Sequence, residues 1–527
     1  MKFAKITALL LALCFLLCAC SSGNDSGSTH DGGAENDKYN YNMQLIYDET
    51  DSLNPFLAES KQNKEICLLL YDPLVTIDNE FSPVYKIAET ITVSGKNCTV
   101  RIKNIKFTDN TALTATDIVY SLELARNSAN YKAQLSNVAS VDVVNQYTVS
   151  ITLKKADPYF ANLLDFPIIK TGSDTLKSID NIALPPVGCG RYILDEKKAE
   201  LNANGEYYGG EMKTKRIGLI NAPDAESAEH YISAGAVSVC YDDYGDNALP
   251  RMSGIKQNVP LNNLVYVGVN MRNTFLRDKY LRYAISSAIN RSDIVKDAYY
   301  DNATAANGPF NPLWKEAEGF QTIQIVNNRE ISIENLEKIG YNSIDNEGYR
   351  LTSSGKRISL SLLVNSDNSA RVAVGNAIVK QLADVGIEIK LEAVPYDVYL
   401  SRLKSGSFEL YLAEVKLLNN MDLSSLVTPG GSMAFGIAQP TVTENEDEDE
   451  QPTGSGGINL TASAAVSGFY SGQYTLGDVA TAFISEMPII PLCYRSGVIM
   501  LSHKLKTEAV CSAGDIFFNV SDYSFNN

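Results

Sequence analysis

Tryptophan occurs once in the 527 residues, at Trp314, and histidine three times, at His30, His230 and His503. So few imidazoles leave little for general-base or metal-ligand chemistry, which histidine usually carries near neutral pH. Neither a Gly-x-Ser-x-Gly elbow nor a His-Glu-x-x-His pair is present, so the common signatures of serine hydrolases and zinc peptidases are missing. A hydrolytic triad is defined by geometry rather than by motif, which keeps an exported hydrolase as an alternative that a peptide-hydrolysis assay tests. Basic residues are also in deficit: 45 Lys and Arg face 62 Asp and Glu, a net charge of -17. A nucleic-acid surface needs clustered Lys and Arg, so that class of partner is excluded. Beyond residue 20 the cysteines are Cys67, Cys98, Cys189, Cys240, Cys493 and Cys511, none at Cys-x-x-Cys spacing. Zinc knuckles and thioredoxin-like sites lose their support, and buried free thiols are expected in a body large enough to fold without staples. No cofactor is called for.

Long apolar runs are confined to residues 8–17, after Lys2 and Lys5. That run is too short to cross about 30 Å of hydrocarbon and reads as the core of a secretory signal over 1–19. It ends in Leu17-Cys18-Ala19-Cys20, which resembles the lipobox of bacterial lipoproteins, with Cys20 as the lipidated residue. Residues 20–41 follow as a flexible tether, because the small and polar run after Cys20 offers nothing to bury. The rest has ordinary globular composition, 45% hydrophobic and 20% charged over the whole chain. Length gives a prior of about three domains.

Alternation over 43–47, 98–103 and 143–153 marks strands, and Thr114 with Asp117 at capping-box spacing opens a helix, the hydroxyl taking an orphan amide. Leu281, Ile285, Ala288 and Ile289 predict a helical segment over 276–299 with one face on a core. Residues 359–364, 371–385 and 387–394 read as strand, helix and strand, with Gly386 where a positive φ is cheap. Parallel strands and a right-handed crossover are the default for such a βαβ unit. A helix over 397–404 and a strand over 409–413 come next. Residues 440–457, carrying Thr-Glu-Asn-Glu-Asp-Glu-Asp-Glu from Thr443, repel themselves and read as a solvated loop without calcium-loop spacing.

Taken in order, several segments resemble the family 5 solute-binding proteins of ABC importers, which capture dipeptides and oligopeptides. They are Asp51-Ser-Leu-Asn-Pro55, Leu69-Leu-Tyr-Asp-Pro-Leu-Val75, the stretch from Lys106 to Ser121, Pro186-Val-Gly-Cys-Gly-Arg-Tyr192, Arg282-Tyr-Ala-Ile-Ser-Ser-Ala-Ile-Asn-Arg291, Ala306-Asn-Gly-Pro309 and Gln381-Leu-Ala-Asp-Val-Gly-Ile-Glu-Ile389. The resemblance implies an α/β, periplasmic-binding-protein-like, two-lobed Venus flytrap. Lobe I would comprise 42–75, 168–264 and 494–527, an α+β subdomain 76–167 would be inserted in it, and lobe II would span 265–493. Crossovers are expected near 264–270 and 488–496. Ligand and permease are the implied partners, with the membrane reached through the lipid.

The family carries a carboxylate for a peptide's amino group within a Trp-x-x-Asp type of stretch. Here the corresponding residues run Tyr411-Leu-Ala-Glu-Val-Lys-Leu-Leu-Asn-Asn-Met-Asp422, without the tryptophan. Asp422 is the first candidate and Glu414 the second; Asp422 also suits a helix N-cap. Arg371 matches the place of an arginine for the ligand carboxylate, where a planar fork can hold both oxygens. Asn419 and Asn420 are candidates for ligand main chain or for a turn, and Trp314 for a cleft wall or for core. An oligosaccharide, with 29 tyrosines as platforms, a metal chelate, and an adhesin or chaperone on the same fold remain alternatives.

Overall fold

The computed structural model describes residues 42–243, 254–320, 323–437 and 460–526. The signal, Cys20, the tether and the acidic stretch 440–457 lie outside the described residues. No helix among the described residues is long and apolar enough to cross a membrane.

The first strand, Met43–Tyr47, turns Met43 and Leu45 inward and pairs in parallel with Arg216–Asn221, which continues antiparallel through Glu200–Ala203 to Tyr192–Asp195. Helix Lys61–Leu70 starts at Ser60. Its Asn63 is fully buried because its amide ties down the preceding turn, donating to the carbonyls of Asp48 at 2.8 Å and Asp51 at 3.0 Å and accepting from the Asp48 amide at 2.9 Å.

A second four-stranded sheet is built from Ala88–Ser94, Asn97–Ile102, Thr148–Leu153 and Val138–Asn145, the middle two strands alternating so that Cys98, Val100, Val149 and Ile151 are buried. Helix Ala115–Asn127 covers it from the expected Thr114 start, where Thr114 and Asp117 form the expected capping box. Both the Thr114 N–H and its hydroxyl donate to Asp117, at 2.9 and 3.0 Å, while the other Asp117 oxygen accepts from Thr171, at 2.9 Å from the amide and 2.8 Å from the hydroxyl.

The βαβ unit forms as read: Ser359–Asn365 and Glu388–Val394 run parallel across helix Ser369–Ala383, and Gly386 has φ +84°. They join Leu410–Lys416 and two long antiparallel strands, Ile255–Val269 and Ile489–Leu501. Ile489–Leu501 also pairs with Val239–Asp242, and the register between the two long strands changes between Pro260 and Leu264. One face of this sheet, with Leu410 and Leu412, packs on the βαβ helix, and the other, with Tyr411 and Ala413, joins the core shared with the first two sheets.

The helical segment expected over 276–299 is two helices, Lys279–Ala288 and Arg291–Tyr299. Asn290 separates them by accepting from the amides of Ser292 and Asp293, at 3.1 and 3.3 Å. Arg282 and Arg291 are buried yet satisfied by carbonyls: Arg282 donates to Leu276 and Arg277, each at 2.8 Å, and Arg291 donates to Pro491 at 2.8 Å. All six body cysteines are free and buried. Burial raises their thiols well out of the reactive range.

The tail returns to the first core. Arg191 and Asp515 form an ion pair at 3.0 Å with 5% of each side chain exposed, and Arg191 also donates to the carbonyls of Phe517 and Leu68, both at 2.6 Å. Removing one member of a buried pair strands the other charge. Asp515→Ala is therefore expected to lower stability by about 3–5 kcal/mol in urea unfolding followed by circular dichroism. A loss below about 1 kcal/mol would mean the tail is not anchored there.

Candidate functional site

The residues singled out in the sequence sort into three places. Glu414 and Arg371 do meet, but they meet each other: Arg371 Nη2 lies 3.1 Å from Glu414 Oε2. The other Glu414 oxygen accepts from Arg495 Nε at 2.8 Å, Arg495 Nη2 at 2.7 Å and Asn263 Nδ2 at 2.8 Å. Strand parity explains this. Glu414 shares the face of Leu410 and Leu412, toward helix Ser369–Ala383, whose first turn carries Arg371, so the arginine fork expected for a ligand carboxylate already holds a protein one.

Asp422, Asn419 and Asn420 lie on the loop after strand Leu410–Lys416 and reach across to segment 155–165. Asp422 pairs with Lys155 at 3.0 Å, Asn420 donates to Asp157 at 2.8 Å, and Asn419 donates to Asp165 at 3.1 Å. Asn162 donates back to the Asn419 carbonyl at 3.0 Å. Asp422 also accepts from the Ser424 amide at 2.8 Å, just before the short helix Ser424–Val427, whose N-cap is Leu423 rather than Asp422. Lys155 rests over the Tyr470 ring at 4.5 Å. Trp314 is core, only 2% exposed, with its ring 5.0 Å from Tyr159 and 5.4 Å from Phe310. A wall of aromatic surface for a ligand is not where it sits.

Beside these bridging bonds lies a cavity of 630 Å³, within the range of small-molecule sites. Its walls come from helix Lys61–Leu70 and the tail on one side, from Tyr131, Gln134 and Asp165, and from Asn263, Lys416 and Asn419 on the other side. A larger groove of 990 Å³ runs between the second four-stranded sheet and helix Ala462–Tyr470, lined by Lys96, Lys154, Lys155 and several serines. We take the smaller one as the candidate site. Its walls combine segments far apart in the chain and carry fixed charges of both signs, whereas the groove offers only lysines among its charged groups. Glu414, Arg371 and Arg495 stop short of the cavity wall, although Asn263 reaches it.

Asp165 is the functional candidate that the sequence reading passed over. A lone acid in the run Phe160-Ala-Asn-Leu-Leu-Asp-Phe-Pro-Ile-Ile169, most of whose apolar side chains are buried, was the available signal. Gln134 donates to its Oδ1 at 2.7 Å and Asn419 to its Oδ2 at 3.1 Å, and burial pushes its carboxyl up to about 6. Among the described residues no group of three metal-ligating side chains forms.

Glu414 behaves in the opposite sense. Burial raises its carboxyl, but the two guanidiniums outweigh that and hold it below the ordinary 4.5. A depressed folded-state pKa makes its contribution fully present above 4.5 and lost as pH falls through the folded value. Glu414→Gln is expected to cost about 3 kcal/mol at neutral pH, and urea midpoints of variant and wild type should converge on acidification. A constant gap down to strong acid would contradict the assignment.

The model of the bacterial extracellular solute-binding proteins, family 5 Middle, matches residues 52–428. The oligopeptide-binding protein AppA of Bacillus subtilis is 24% identical over 427 residues, 76% of this chain and 78% of its own. A putative ABC transporter peptide-binding protein of Brucella ovis is 26% identical over 411 residues, 72% of this chain and 75% of its own. Among solved structures, an ABC transporter substrate-binding protein from Sinorhizobium meliloti superposes with a TM-score of 0.70 at 18% identity, covering 92% of this chain and 100% of that one. A family match across well over half of its residues means that the chain belongs to the family 5 bacterial extracellular solute-binding proteins, the substrate-binding proteins of ABC transporters, and is not an enzyme.

Proposed function

We propose that the chain is a lipoprotein, anchored through Cys20, that captures peptides in the cavity of 630 Å³ and delivers them to the permease of an ABC importer. One observation carries this reading: a cavity walled by all three parts of the chain and lined by carboxylates and lysines together. A zwitterionic ligand suits such walls, since its two ends carry opposite charges and charge-assisted bonds are the strong ones. Because the walls belong to different parts, a ligand touching both gains contacts that an open arrangement lacks, and it shifts the hinge equilibrium toward closure. Asn419 and Asn420 then act as the clasp between the parts, Asp422 with Lys155 as its outer edge, and Trp314 as packing beneath segment 155–165. Arg371 and Glu414 brace the second lobe from behind. The peptide names of the relatives from Bacillus subtilis and Brucella ovis support the same substrate class.

Gently purified protein is expected to release peptides when denatured and examined by mass spectrometry, and an oligopeptide pool should raise its melting temperature. A sugar or a metal chelate in that spectrum, with no peptide, would overturn the substrate class. Wild-type protein expressed with its own leader should partition into detergent with an acylated N-terminus, whereas Cys20→Ser should stay in the aqueous phase. Identical partitioning of the two would remove the anchor.

A further inference from the structure

The groove of 990 Å³ between the second four-stranded sheet and helix Ala462–Tyr470 carries charge of one sign only. Lys96, Lys154 and Lys155 line it without a single carboxylate, in a chain whose 62 Asp and Glu outnumber 45 Lys and Arg. Lys155 is met by Asp422 at 3.0 Å. The other two lysines lack such a partner. Lys96 stands at the tip of the turn between Ala88–Ser94 and Asn97–Ile102, and the Leu153 amide donates to its carbonyl at 2.7 Å, which brings Lys154 to the same corner of the sheet. Lys154 Nζ donates to the neutral carbonyl of Ser136 at 2.7 Å, and no Asp or Glu among the described residues pairs with either ammonium. Two like charges at one corner without a counter-charge repel each other and attract an anion.

We infer that this groove is the docking site of the chain's own acidic stretch 444–450, which carries Glu444, Glu446, Asp447, Glu448, Asp449 and Glu450. The inference goes beyond the peptide reading and does not depend on what the smaller cavity holds. Charge complementarity supports it, since a run of carboxylates supplies what the two ammoniums lack. The path of the chain supports it as well. Ser424 and Thr428 line the groove, and the described residues stop nine further on, at Ile437. They resume at Leu460, three before Ser463, which lines the groove again from helix Ala462–Tyr470.

Reach is sufficient. Ten residues separate Glu450 from Leu460, a span of up to roughly 35 Å, whereas the helix beside the groove is about 14 Å long. A connection that short keeps the acids at an effective concentration on the order of millimolar. Exposed ion pairs contribute little one at a time, but several of them on one tether add up. Lys154 has two of its three N–H donors left, and the hydroxyls of Ser463 and Ser467 add neutral donors on the helix side. So occupied, the lysine corner is neutralised by the chain itself and is withheld from outside anions.

Two measurements on the full chain test this. Zero-length carbodiimide coupling of wild type, mapped by mass spectrometry after digestion, should join residues 444–450 to Lys96 and Lys154 about fivefold more often than to Lys279 and Lys338, exposed lysines elsewhere. Salt at about 0.5 M should remove that preference. In fluorescence anisotropy, a labelled peptide of the sequence 443–450 should bind about tenfold more tightly once Glu444→Gln, Glu446→Gln, Asp447→Asn, Glu448→Gln, Asp449→Asn and Glu450→Gln have freed the groove. Adding Lys96→Gln and Lys154→Gln should abolish the gain. A general effect of net charge would survive those two lysine substitutions, as would binding of the labelled peptide in the smaller cavity, so this inference and the peptide reading fail separately. Coupling spread evenly over the four lysines overturns the inference. Equal affinity of the labelled peptide for wild type and the neutralised chain also overturns it. Should a variant fail to fold, the coupling pattern of wild type still decides the matter.

Discussion

Two strands, Ile255–Val269 and Ile489–Leu501, lie side by side in the largest sheet, and the second of them carries pairing out to Val239–Asp242. Backbone hydrogen bonds hold them to one another along nearly their whole length, so the parts they serve have a common axis even where their register shifts between Pro260 and Leu264. A shift of register is a local break in an otherwise stiff ladder. The cavity wall that includes Leu261, Asn262 and Asn263 lies at that break.

Charge is handled differently on the two sides of this axis. Behind the sheet, Glu414 is surrounded by Arg371 and Arg495 and by the amide of Asn263, a closed group that needs no visitor. At the junction, the acids Asp157 and Asp165 are met by the amides of Asn420 and Asn419 instead. Amides bridge without neutralising. They hold these segments together while leaving the negative charge beside them unneutralised.

How much of this was legible beforehand depended on pattern. The strand–helix–strand unit over 359–394 announced itself by period and by Gly386, and strand Asn97–Ile102 by strict alternation. Strand Ile489–Leu501 is buried at every position, so alternation could not reveal its length. Asn290 looked like one polar residue in a helical segment, yet its side chain caps a new helix. For the site, residue type suggested Glu414 and Arg371 as ligand contacts, but strand parity turns them to face one another, short of the cavity wall. Asn419, Asn420 and Asp422 were found as a loop; that their partners lie 254, 263 and 267 residues away is a tertiary fact.

The ion pair between Arg191 and Asp515 joins residues 324 positions apart. Closing so long a loop is slow, and it cannot begin until the end of the chain exists. The first core therefore stays incomplete through synthesis, missing both the counter-charge of Arg191 and the packing of Phe517 and Tyr523. Such lateness keeps the first core open until Asp515, Phe517 and Tyr523 have joined it.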